Sequence, residues 1–453
     1  MELHTTAAGT DGQPAAAPAT AVARTRRAYP WLIFALAFGL LLADYMSRQV
    51  LSAVFPFLKT AWGLSDSRLA SLSSVVALMV GLLTLPLSLL ADRWGRVRSL
   101  VLMAVLWSAA TLLCAVAADY PQMLGARFLV GVGEAAYGSV GIAVVLSVFA
   151  PRMHAALSGA FMAGGSFGSV LGVAFGGVIA VHFGWRWSFA LMAVFGLVLA
   201  ALFRAAVTEE KLARYAADPA PGPESGAGLQ VPVSTLFTNP AVLCAYAGSA
   251  LQIFTAAVLL SWMPSFFGRY YDLAPDRAGA VASVFVLLVG AGMVGCGMVT
   301  DRVSRTDMSR KWTTAIVFCA IALACLAIGF AIGHGPLQLL LIGVGAFFSG
   351  GSSGPAAAMV ANLTHPSVQA SAFGTLTLAN SLLGLALGPF VVGVLADHLG
   401  LANALRLAPL TYLLAIAALA LGKRAYPAGL RRLAALDSGA SYRPSKGLAA
   451  PHE

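Results

Sequence analysis

The chain has 453 residues, 59% of them hydrophobic and 10% charged, with a net charge of +10 and a mean hydropathy of +0.83. Soluble proteins carry about 25% charged residues, so these values exclude a water-soluble domain and place the chain in a bilayer.

A spanning helix needs about 20 mostly apolar residues, and such runs number twelve, near residues 30–55, 68–91, 99–118, 122–149, 155–181, 186–206, 239–264, 278–300, 312–333, 337–361, 369–396 and 402–422. The predicted class is an all-α membrane protein of twelve transmembrane helices in two pseudo-symmetric six-helix bundles. Residues 1–29 open the chain, rich at first in Ala, Pro and Thr, and read as a disordered tail. Thr25-Arg26-Arg27 resembles a twin-arginine signal, but Asp44 and Arg48 fall inside the following apolar run and no Ala-x-Ala site closes it. The first span is therefore expected to stay uncleaved.

Four charges sit inside predicted spans: Asp44 and Arg48 in the first, Arg127 and Glu134 in the fourth. Each costs about 2.5 to 3.5 kcal/mol at a helix centre, so such residues normally face a bundle interior and carry function. Spacings of four and seven put each pair on one helix face, which suggests a neutral quartet lining a cavity. A carboxylate that loses its neighbouring cation binds a proton more tightly, and one that regains it lets the proton go; Asp44 and Glu134 are the proton candidates. Arg48 and Arg127 can grip a carboxylate or phosphate with two parallel hydrogen bonds. A static salt-bridge cluster joining the two helices is the plainer alternative. Tyr137 nearby, and Gln252 and Asn380 in the second half, are further candidate substrate contacts.

After the second span comes Ser88-Leu-Leu-Ala-Asp92-Arg93-Trp94-Gly95-Arg96-Val-Arg98, and a weaker copy, Gly297-Met-Val-Thr-Asp301-Arg302-Val-Ser-Arg305, follows the eighth. Arginines suit a helix C-terminus, whereas Asp92 stands at its unfavourable end and needs a partner. Gly168 through Gly172, Gly177, His182 and Gly184 match Gly384 through Gly388, Gly393, His398 and Gly400 at a constant offset of 216, so the fifth span repeats as the eleventh. The glycines of the fourth and fifth spans read first as close-packing faces, and Gly384-x-x-x-Gly388-Pro389 as a bend. Residues 30–207 and 239–422 are the two bundles. The segment 208–238, with Glu209, Glu210 and several prolines, is the linker between them, and 423–453 is a C-terminal tail. Trp262, Phe266, Phe267, Tyr270 and Tyr271 read as an interfacial aromatic belt, with a gate contact as the alternative.

Twenty basic residues fall on the side of the termini and six on the other, which predicts cytoplasmic termini. That use of the positive charge leaves little for nucleic acid. The five cysteines lie in spans without a CxxC pair and the histidines lie in loops, tails or span ends, so neither a metal site nor a disulfide framework is expected.

Twelve spans, a central linker and the Asp-Arg-x-Gly-Arg loop resemble the major facilitator superfamily from residue 30 to 422. The resemblance implies transport by alternating access, with Asp92, Arg93, Gly95, Arg96, Asp301 and Arg302 forming conformational latches and Asp92 bonding across the halves in the outward-open state. Asp44-Tyr45-Met46-Ser47-Arg48, Gly131-Val-Gly133-Glu134-Ala-Ala-Tyr137 and Gly184-Trp185-Arg186-Trp187 resemble its spinster-like branch, which implies proton-linked movement of amphipathic lipids centred on Asp44, Arg127 and Glu134. The expectation is a proton-coupled transporter of an amphipathic or small organic anion, monomeric, in a bacterial inner membrane. It would contact membrane lipids and use no cofactor beyond the proton gradient. A proton-driven exporter of cationic drugs is the alternative within transport. A membrane enzyme lacks a visible nucleophile, base or metal cluster, and a non-transporting sensor lacks a segment long enough for an added soluble domain.

Overall fold

The computed structural model describes residues 19–150, 153–215, 235–365 and 368–437, among which no strand occurs. In hydrocarbon every backbone polar group must be satisfied within the chain, and uninterrupted Leu, Ala and Val runs meet that demand as helices. The first bundle holds α1 (Ala19–Trp62), α2 (Asp66–Trp94), α3 (Arg96–Val116), α4 (Tyr120–Ser147), α5 (His154–Phe183) and α6 (Trp185–Ala206). The second holds α7 (Pro240–Tyr270), α8 (Pro275–Val303), α9 (Arg310–Ala331), α10 (Pro336–Ser349, then Ser353–Leu363), α11 (Ser371–Leu399) and α12 (Leu401–Ala434). Eleven of these are long and apolar enough to cross a bilayer, and α10 is a shorter helix continued through a 3-10 turn at Gly350–Ser352.

Three boundaries differ from expectation. α1 begins inside the segment expected to be a tail, and the Tyr29 hydroxyl donates to the Ala206 carbonyl at the end of α6 while its ring meets Tyr215 at 4.5 Å. Helix also continues beyond the expected twelfth span to Asp437, because Arg432 donates to the Thr238 carbonyl and Gly429 lies against Asn239. Of the expected linker, Glu209–Tyr215 and Thr235–Thr238 are helical; residues 216–234, like 1–18 and 438–453, lie outside the described residues.

The internal repeat is written in close helix contacts. A Cβ on Gly168 or Gly172 of α5 would stand 2.5 or 2.6 Å from the carbonyl oxygens of Leu42 or Met46 on α1, and one on Gly384 or Gly388 of α11 would stand 2.9 or 2.6 Å from those of Ala250 or Phe254 on α7. The glycine faces thus pack α5 on α1 and α11 on α7. Gly184 and Gly400, at φ of 92° and 80°, make the matching sharp exits into α6 and α12, a conformation that L side chains resist. Ahead of Pro389 the eleventh helix passes through a π-helical turn over Asn380–Ala386. Gly172→Val should destabilise the protein by about 1 to 3 kcal/mol through overpacking, seen as a lower melting temperature in detergent. An unchanged melting temperature would mean that α5 does not press on α1 there.

The halves meet along α5 with α8, α2 with α11, and α1 with α7. Gly177 and Gly279 lie close to the backbones of Pro275 and Val173. The Ser74 hydroxyl donates to the Ala386 carbonyl, 2.6 Å away. The Phe55 and Trp262 rings meet at 5.5 Å. Trp262, Phe266 and Phe267 are buried, so the expected aromatic belt is corrected here: Trp262 packs across the seam on Phe55, while Phe266 and Phe267 pack on Phe330 and Phe285 within the second bundle.

Candidate functional site

The intramembrane charges come together through α1 and α4. Arg48 Nη2 donates to Glu134 Oε2 at 2.8 Å. Ser47 Oγ lies 2.8 Å from the Asp44 carbonyl oxygen and 3.3 Å from Glu134 Oε1. The charged neighbours of the Asp44 carboxyl are Glu134 and Arg48. Glu134 is sealed from solvent, whereas Arg48 keeps 20% of its side chain accessible, with its guanidinium 5.2 Å from the centre of the Tyr45 ring. Among the described residues, Asp44 Oδ1 and Arg48 Nε are buried without hydrogen-bond partners, as is Nε2 of the adjacent Gln49. The site therefore has unused polar capacity, which buried groups seldom leave.

Two local features position it. α4 breaks directly after Glu134: its helical segments are Tyr120–Glu134 and Tyr137–Ser147, and the freed Ala135 carbonyl accepts from Thr84 Oγ1 at 2.6 Å. With the offset of 216, Glu134 corresponds to Gly350, where α10 breaks as well. Gly131 and Gly133 let α4 approach Val76 of α2 and Trp107 of α3.

Arg127 departs from the expected quartet. It is fully buried, and its Nε and Nη1 donate to the backbone carbonyls of Leu72 (3.2 Å) and Ser47 (3.3 Å), tying α4 to α2 and α1. Its Nη2 has no hydrogen-bond partner among the described residues, and Glu134 and Arg48 are among its charged neighbours. It braces the backbone that carries Asp44 and Arg48. Tyr137 is fully buried with Asp44 as its charged neighbour; it donates to the Ala37 carbonyl at 2.8 Å and packs edge-on against Trp107. Tyr137→Phe should cost about 1 kcal/mol of stability and leave the substrate KM unchanged if its hydroxyl serves only the Ala37 carbonyl; a raised KM would make it a substrate contact. In the second half, Gln252 is buried, and Asn380, at the start of the π-helical turn, has a buried Oδ1 without a partner among the described residues.

At the loop after α2, Gly95 turns the chain at φ 99°, and Glu209 Oε1 accepts from the Val97 and Arg98 N–H groups at 2.7 and 3.4 Å. A carboxylate suits that helix N-terminus. Arg93 and Arg96 are exposed, as are Asp301 and Arg302 at the end of α8; the Asp92 side chain lies outside what is described.

A second charged cluster, at the opposite end of the bundles, was not anticipated from the sequence. Asp66 receives both Arg269 guanidinium nitrogens at 2.7 Å and Lys59 Nζ at 2.7 Å. Asp397 of α11 accepts from the Asp66 and Ser67 N–H groups at 2.6 and 3.0 Å. Two carboxylates and two cations thereby clasp the halves.

Residues 36–389 match the family model described as Major Facilitator Superfamily. The chain is 24% identical over 379 residues to a hexuronate transporter of Bacillus subtilis (strain 168), covering 82% of this chain and 88% of that protein. It is 22% identical over 386 residues to protein spinster homolog 1 of Xenopus laevis, covering 81% of this chain and 73% of that one. Its structure matches the crystal structure of a bacterial homolog of the human lysosomal transporter Spinster, in an inward-facing and unoccupied conformation. The TM-score is 0.78 at 18% identity, over 88% of this chain and 98% of that one, so the two share a fold.

Proposed function

The chain belongs to the Major Facilitator Superfamily, and from that premise we propose that it is a proton-coupled importer of a small organic anion. Arg48 is the observation that carries this reading: a partly accessible guanidinium with an unused Nε, held by a sealed carboxylate beside a second carboxyl. An entering carboxylate competes with Glu134 for Arg48. Glu134, beside Asp44 and deprived of its cation, then takes up a proton, because two neighbouring carboxylates resist being charged together. Anion and proton are bound together and released together, which is symport. Support for a carboxylate comes from the hexuronate transporter, whereas the likeness to spinster homolog 1 favours an amphipathic anion within the same chemistry.

The clasp around Asp66 fits a conformation closed on the side away from the termini. With the termini cytoplasmic, as the basic residues favour, this is an inward-facing state of an inner-membrane protein. The test is uptake into proteoliposomes under an imposed pH gradient, with internal pH followed against a panel of sugar acids, other carboxylates, lysolipids and cationic drugs. Proton movement with an anionic compound, absent in Asp44→Asn, supports the proposal. Proton movement with cationic drugs alone would replace it with the drug-exporter reading.

A further inference from the structure

The end of α2 and the start of α3 enclose a cavity of about 410 Å³ lined by Arg93, Trp94, Arg98, Ser99 and Leu102. None of these residues belongs to the charged cluster on α1 and α4. Arg93, in the last turn of α2, and Arg98, in the first turn of α3, are both exposed, and neither side chain forms an ion pair or hydrogen bond among the described residues. Ser99 is only 4% exposed, and its hydroxyl is buried without a hydrogen-bond partner among the described residues. An unsatisfied buried hydroxyl beside two unpaired guanidiniums is a donor set without its acceptor.

The other side of the cavity is apolar and open. Trp94 is 57% and Leu102 55% exposed, and exposed leucines continue along both helices at Leu89 and Leu106. Tryptophan at the end of a span, next to arginine, marks the level where headgroups meet hydrocarbon. A soluble anion would find no use for that apolar wall, whereas an acyl chain would cover it.

We propose that this cavity binds the headgroup of an anionic phospholipid. The phosphate lies between the Arg93 and Arg98 guanidiniums, which match its oxygens in a planar fork, and the Ser99 hydroxyl supplies a third donor. Trp94 and Leu102 receive the glycerol and the upper acyl chain. Lipid occupancy of the cavity is measurable without any transport assay.

The experiment is native mass spectrometry of the full-length protein with phosphatidylglycerol or phosphatidylcholine, and with inorganic phosphate as competitor. Wild type is expected to retain phosphatidylglycerol preferentially, and Arg93→Gln/Arg98→Gln to lose about fivefold per arginine, down to its phosphatidylcholine level. Arg93→Lys/Arg98→Lys keeps the charge and recovers most of the retention. Ser99→Ala lowers it about threefold without touching any charge, which keeps the proposal testable if the glutamine pair misfolds. Arg305→Gln/Arg424→Gln, removing two exposed arginines elsewhere, leaves retention at the wild-type level. Full retention in the glutamine pair, or equal loss in the Arg305/Arg424 pair, overturns the site. Displacement of the lipid by inorganic phosphate assigns the cavity to a free anion and overturns the lipid reading.

Discussion

Under the proposed coupling, Arg48→Ala is expected to abolish uptake and also to destabilise the protein, because it leaves Glu134 buried and without its cation. Removing one partner of a buried pair costs about 3 kcal/mol or more; separately, losing charge-assisted bonds to the anion of about 3 kcal/mol lowers its apparent affinity about a hundredfold. Arg48→Ala/Glu134→Gln separates the two effects. Without the orphaned charge the melting temperature recovers towards wild type, while uptake stays lost, since neither the grip on the anion nor the proton acceptor returns. Uptake and melting temperature measured on both variants check this. Recovered uptake in the double variant would reduce the pair to a static tie between α1 and α4.

Asp66→Asn opens the opposite end. The carboxylate accepts two bonds from Arg269 and one from Lys59; an amide leaves those cations facing each other across the seam. Both partners are about a third or more exposed, so screening reduces the effect, and charge-assisted bonds of this kind then contribute about 2 kcal/mol together. That shifts a closed-to-open ratio by roughly thirtyfold. Spin labels at Ala118 and Gly333, in loops of the two halves at this end, should show a longer distance population in Asp66→Asn and the short one alone in wild type. Identical distance distributions would mean that the aromatic seam alone keeps this end closed.

The parts of this molecule that were legible from the sequence are those where the bilayer makes a residue conspicuous. Asp44, Arg48 and Glu134 stand out because ionised groups in apolar runs are costly, and the structure brings all three together. The offset of 216 between the fifth and eleventh spans reappears as paired glycine contacts and paired sharp exits. Arg127 was equally conspicuous, but its partners are carbonyl oxygens of Leu72 and Ser47, and no pattern of side chains announces a bond to backbone. Tyr137 has Asp44 as its charged neighbour, but its hydroxyl goes to the Ala37 carbonyl and its ring to Trp107, another backbone bond that no pattern of side chains announces. Trp262, Phe266 and Phe267 read as a lipid-facing belt since aromatic residues at a span end look alike whether they meet lipid or other helices. Asp66 and Arg269 went unnoticed for a related reason: charges at span ends are ordinary, and the partners are 203 residues apart.

The central claim is that anion binding at Arg48 brings a proton onto the neighbouring carboxyls. Its most direct test is proton uptake by the purified protein in weakly buffered detergent solution, followed with a pH-sensitive dye as a transported carboxylate is added. Wild type should take up protons in proportion to occupied sites, and Glu134→Gln should bind the anion without taking any up. Anion binding by wild type with no change in dye signal, or with protons released, would contradict the coupling.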